Sequence, residues 1–231
     1  MNEQEKENEQ REDCPKEEGM RDPDTLDAIK ESGSTFAGNE TEAFHCISII
    51  GQIEGHYVLD STQKVTKYDH MIPLLIALEE SHKVDGILIV LNTMGGDVEA
   101  GLAIAEVIAS LSKPTVSIVL GGGHSIGVPL AVSAKKSFIV PSATMTIHPV
   151  RTTGTVISAP QSFDYLRQMQ DRIVRFVVSH SKVEEGYFRE ILMDTKALAN
   201  DIGTILDGHE AVECGLIDAV GGVAEALQTL R

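Results

Sequence analysis

Two apolar runs of strand length, G86-I-L-I-V-L91 and S117-I-V-L120, each run into glycines and then into a helix-forming segment. The first passes through N92-T-M-G-G96 into Val98–Ser112, rich in Ala, Ile and Leu, with Pro114 beyond its end. The second passes through G121-G-G-H-S-I-G127 into V128-P-L-A-V-S-A134, entered through Pro129. A strand that is apolar at every position is buried on both faces. That requires crossover helices on a mostly parallel sheet. In such sheets ligands bind outside the carboxyl ends of the strands. There, glycines let the chain turn tightly and helix starts supply free N–H groups.

The rest of the chain extends this α/β pattern. H45-C-I-S-I-I50 reads as a strand with Gly51–Gly55 as its exit loop. Met71, Leu74, Leu75 and Leu78 follow a helical period over residues 71–80, with Pro73 in the first turn. S137-F-I-V140 and T144-M-T-I147 read as further strands. R151-T-T-G-T-V-I-S158 is polar and β-prone. A long helix over Ser162–His180 follows, apolar at Phe163, Leu166, Met169, Ile173, Phe176 and Val177. A long helix behind a polar ribbon projects from a compact core and is placed to meet another subunit. A helix over Glu184–Met193, a helix at Ala211–Cys214, a strand at Leu216–Asp218 and a helix over Val223–Leu230 complete the chain.

Residues 1–42 are different in kind. They carry 14 acidic and 5 basic side chains, more than half of the excess behind the net charge of -16. With little to bury, they read as a disordered acidic arm ahead of a folded domain over 43–231. The 42% apolar content suffices for one sizeable core. No apolar run approaches the ~18 residues of a membrane span, and no basic segment precedes an apolar leader. Cys14, Cys46 and Cys214 are far apart and lack metal-ligand spacing, so a reducing cytoplasm is expected. The acidic balance argues against a nucleic-acid surface. No cofactor or metal is expected.

G123-H-S-I-G127 places Ser125 at a strand-to-helix turn, where a hydroxyl is open and close to a helix start. His148, at the end of the strand T144-M-T-I147, is a candidate base for it. His124, beside Ser125 in a tight turn, reads as a structural or pocket-wall residue. Gly95 and Gly96 can present amide groups to a developing oxyanion.

Four ordered segments resemble the ClpP family of self-compartmentalising serine peptidases. They are L91-N-T-M-G-G-D-V-E-A-G101, G123-H-S-I-G127, S142-A-T-M-T-I-H-P149 and E210-A-V-E-C-G-L-I-D218. The chain is more closely similar to the family's TepA branch, named for enhancing translocation of secretory precursors. The resemblance implies a ClpP/crotonase-type spiral of ββα units, with a projecting handle strand and helix at about 150–180. It implies a homo-oligomeric chamber of one or two rings. It also implies a Ser-His-Asp endopeptidase for peptides or unfolded proteins, with catalytic Ser125 and His148. Gly96 and the Ile126 amide would form the oxyanion hole, with Gly95 shaping the turn. His124 stands where the family has a small residue, and Cys214 replaces an aromatic. The family's aspartate falls on Gly203, which has no side chain to offer. Asp201 is the expected third member, with Asp194 and Asp207 as the other candidates. Nothing before Phe44 looks like the family's axial loop, so no ATP-driven unfoldase is indicated, and no Walker A pattern is present. The alternative function is a ClpP-like scaffold or adaptor that supports protein secretion without robust catalysis. A crotonase-type acyl-CoA enzyme is a third reading.

Overall fold

A computed structural model describes residues 34–38, 43–152, 158–195 and 202–231. The expected acidic arm up to residue 33, most of the polar ribbon (153–157) and Asp201 lie outside the described residues. The strands are β1 (Ser34–Gly38), β2 (Ala43–Glu54), β3 (Val65–Lys67), β4 (Gly86–Gly96), β5 (Thr115–Gly123), β6 (Lys136–Ile139), β7 (Thr144–Ile147), β8 (Thr204–Asp207) and β9 (Ala219–Val220). The helices are α1 (Tyr68–Glu80), α2 (Val98–Ser110), α3 (Gly127–Val132), α4 (Ala159–Ser179), α5 (Glu185–Leu192), α6 (Gly208–Glu213) and α7 (Val223–Leu230).

The main path of the sheet runs β1-β2-β4-β5-β6-β9, with β3 beside β2. All of these pairings are parallel except β1 against β2. The result is a mixed α/β fold of repeated strand-helix units on an open sheet. One core cluster joins Ile47, Ile49, Ile87, Ile89 and Val119 to α1, α2 and α3. A smaller one on the other sheet face joins Leu88, Ile118 and Phe138 to Ala226 and Leu230 of α7. Burial on both faces is why β4 and β5 read as continuous apolar runs.

Three differences from the sequence reading concern the ends of strands. The sheet begins at Ser34 rather than near Phe44, because Ser34–Gly38 pairs antiparallel with β2 from Ile47 back to Ala43. Gly51 is not the start of an exit loop. It takes φ +78 and shifts the register, and β2 resumes pairing with β4 beyond it. Likewise β4 and β5 run on through their glycines. Beyond Leu91 their mutual register shifts, Gly95 and Gly96 go on pairing with β2, and Gly122 of β5 pairs with Thr144 of β7. A short antiparallel ribbon of β7 and β8 therefore sits at the carboxyl ends of the central strands. The helix expected from Met71 starts at Tyr68, which puts Pro73 inside it. The strand expected at Leu216–Asp218 falls at Ala219–Val220 instead.

Candidate functional site

The turn after β5 is built by its backbone. Ser125 has φ +57, the one non-glycine residue with positive φ among the described residues. That conformation is disfavoured for a residue with a Cβ and is held here by its surroundings. The Gly127 N–H donates to the His124 carbonyl at 2.8 Å, and the Val128 N–H to the Ser125 carbonyl at 3.0 Å. The His124 N–H donates to Thr93 O of β4 at 3.1 Å, and the Ser125 N–H to Thr146 O of β7 at 2.8 Å. The turn is thus tied to a strand on each side.

The two glycines that end β4 are there because nothing larger fits. Gly95 has φ +90, and a Cβ on it would lie 2.7 Å from Ser125 Cβ and 3.2 Å from its Oγ. Gly96 has φ +153, and a Cβ there would lie 2.3 Å from Ile53 O. The Thr93 hydroxyl holds this segment in place. It donates to Gly51 O at 2.6 Å and accepts from the Gly95 N–H at 3.0 Å.

Gly96, Ser125, Ile126 and His148 all line one cavity of about 170 Å³, together with Arg151 and Phe188. Arg151 opens the segment read as the handle strand, while the sequence did not point to Phe188. Phe188 is the apolar wall supplied by α5, and its signal was only the apolar face of a helix. His124 does not line this cavity. Its ring lies against Gly122, where a Cβ would come within 2.4 Å of Nε2, and its Nδ1 is held by Thr146.

The histidine lacks the partners of a triad. His148 Nδ1 is 2.8 Å from the carbonyl of Pro149. A carbonyl only accepts, so Nδ1 carries the proton. This fixes the tautomer, but a neutral carbonyl lacks the charge that stabilises an imidazolium. No hydrogen bond joins the Ser125 hydroxyl to His148 among the described residues, and no carboxylate among them is hydrogen-bonded to the His148 ring. Gly203, the position matched to the family's aspartate, does sit against this histidine. It has φ +130, and a Cβ on it would lie 2.3 Å from Ile147 O and 2.8 Å from His148 Cβ. The backbone at that place excludes a side chain. Asp207 is engaged elsewhere, since its Oδ1 accepts from the His209 and Glu210 N–H groups and caps α6. The Asp194 carbonyl accepts the Gly203 N–H at 2.7 Å.

A family profile described as Clp protease matches residues 40–224. The chain belongs to the Clp protease family. This family member is 54% identical to the translocation-enhancing protein TepA of Halalkalibacterium halodurans over 217 residues, covering 94% of this chain and 84% of the relative. It is 29% identical to the ATP-dependent Clp protease proteolytic subunit 1 of Chlamydia trachomatis over 146 residues, covering 62% of this chain and 73% of the relative. Against the ATP-dependent Clp protease proteolytic subunit of Streptococcus uberis the identity is 28% over 164 residues, covering 65% and 76%.

These findings correct the expectation of an ATP-independent serine peptidase. The relative that matches at 54% over nearly the whole chain is named for translocation. The two proteolytic subunits named above match at 28–29% over about two thirds of it. The site agrees with that division: it keeps the serine turn and the histidine, but a main-chain carbonyl holds the imidazole. Ser125 and His148 line one cavity, and the hydrolase assignment built on them is not kept. Among the described residues no helix is long and apolar enough to cross a membrane.

Proposed function

We propose that this chain is a ClpP-like scaffold or adaptor that supports protein translocation without robust catalysis. The observation that carries this reading is the 54% identity to a translocation-enhancing protein over 94% of the chain. The Pro149 carbonyl on His148 and the side-chain-excluding Gly203 beside it support the same reading. In this view Gly96, Ser125 and Ile126 keep the lining of the family's site, and the work is done by the assembled surface rather than by the hydroxyl.

The assembly is a homo-oligomeric ring of the ClpP kind, one or two rings deep, with α4 as its handle helix. The first half of α4 stands clear of the core, with Phe163 and Tyr165 exposed. Its partners are peptides or unfolded secretory precursors, met in the cytoplasm. The acidic segment before Ser34 is an arm outside the folded domain.

The test compares wild type and S125A in cells lacking the chain, with export of a secretory precursor as the readout. Equal restoration of export is expected, together with no Ser125-dependent labelling of the purified chain by a fluorophosphonate. Loss of export in S125A together with labelling of wild type alone would overturn the reading.

A further inference from the structure

The β5–β7 ladder stops after a single pairing, Gly122 with Thr144. Two residues further along, the side chain of His124 takes the place of the missing main-chain acceptor. The Thr146 N–H donates to His124 Nδ1 at 3.1 Å, and the Thr146 hydroxyl lies 2.9 Å from the same nitrogen. The Thr146 carbonyl in turn accepts the Ser125 N–H at 2.8 Å. Thr146 is thus held through both main-chain groups, once by the ring of His124 and once by the backbone of Ser125. An amide N–H can only donate, so Nδ1 is bare and the ring is neutral with its proton on Nε2.

We propose that the His124 imidazole is an acid-sensitive clasp that fixes β7 to the Ser125 turn and releases it when Nδ1 is protonated. A protonated Nδ1 faces the Thr146 N–H donor to donor. The hydroxyl of Thr146 can rotate to accept the new proton, but the amide loses its partner. His148 lies two residues beyond Thr146, directly after β7, so the release changes the distance between Ser125 and His148.

The ionisable groups on the neighbouring elements are few. His148 follows on β7. Asp207 on β8 stands opposite Thr144, its carboxylate engaged in capping α6. β4 presents Asn92 and the Gly95 backbone to this turn, which are not ionisable, and β5 contributes only glycines beside it. Burial, with no charged partner, keeps the ring below the ordinary histidine value. The clasp is therefore closed at neutral pH and opens in acid. This inference stands on the Thr146 contacts and does not depend on whether the chain is a scaffold.

The experiment follows the full-length protein by NMR, with labelled histidine and threonine, from neutral pH into acid. The proposal expects the His124 ring as the Nε2–H tautomer, a titration midpoint below that of an exposed histidine, and a Thr146 amide that shifts and exchanges faster along the same curve. In H124N the neutral amide oxygen can accept from the Thr146 N–H, so the Thr146 amide should stay protected and lose its pH dependence. Either an Nδ1–H tautomer at neutral pH or a Thr146 amide indifferent to the His124 titration overturns the clasp. An H124N protein that keeps the wild-type pH profile at Thr146 overturns it equally.

Discussion

Gly203 shows how a single backbone angle can close off a chemistry. Its φ of +130 and its closeness to Ile147 O leave no room for a side chain next to His148. We expect G203D to gain no fluorophosphonate labelling. G203A should lower stability by about 1–3 kcal/mol, the range for a residue forced into a sparsely populated backbone region, as measured by urea unfolding. The sequence marked this position as a glycine without an acid, but φ and the Ile147 contact depend on how β8 meets β7, which no local pattern encodes. His124 has a second, pH-dependent consequence. Burial lowers its proton affinity in the folded chain, so the unfolded chain binds that proton first as pH falls. The contribution of His124 is complete above a pH of about 6.5 and is lost as pH drops through the folded value. His45 shifts the same way for the same reason. We expect the stability of the wild type, read by urea unfolding at several pH values, to fall from neutral toward acid. The fall should be shallower in H124N.

At the scale of elements, the sequence showed the strands of the central sheet because their burial on both faces leaves an unbroken apolar signature. Its ends were harder to read. Gly51, Gly95 and Gly96 looked like turns, yet they sit inside strands that bend and go on pairing, since glycine permits both. β8 was missed because Thr204–Asp207 is short and half of it is exposed. Of the site, Ser125 and His148 were legible from the order of elements. Thr146 was not, because its contribution is made by its backbone. β1 was hidden behind the charge of the residues before it, and its presence sets where the chain can be shortened without cost. Removing residues 1–33 should leave the melting temperature nearly unchanged. Removing 1–42 deletes a strand paired with β2 from Ala43 to Ile47 and should lower it. For a domain of this size each kcal/mol lost corresponds to about 2–4 °C. Differential scanning calorimetry of the two truncated chains makes the comparison. Equal melting temperatures would remove β1 from the cooperative unit.

For the whole molecule, the proposed ring makes a prediction independent of the serine. Phe163 and Tyr165 are 68% and 57% exposed on one protomer, a poor arrangement for apolar rings that meet nothing. A double charge substitution, F163E with Y165E, should reduce the particle mass in light scattering while leaving the far-UV circular dichroism intact. A strictly monomeric wild type would remove the assembly instead. The sheet also has an open flank. β1 is its outermost strand, and no described strand covers its far side. Uncovered strand edges invite further strands, and nearby like charge is a common deterrent. Residues 1–33, which precede this strand in the chain, carry 12 acidic and 5 basic side chains, an excess of like charge of that deterrent kind. Cutting them off should then leave a protein that folds as before but behaves worse as a colloid, turning cloudy at lower concentration and in moderate salt, where the surviving repulsion between particles is screened.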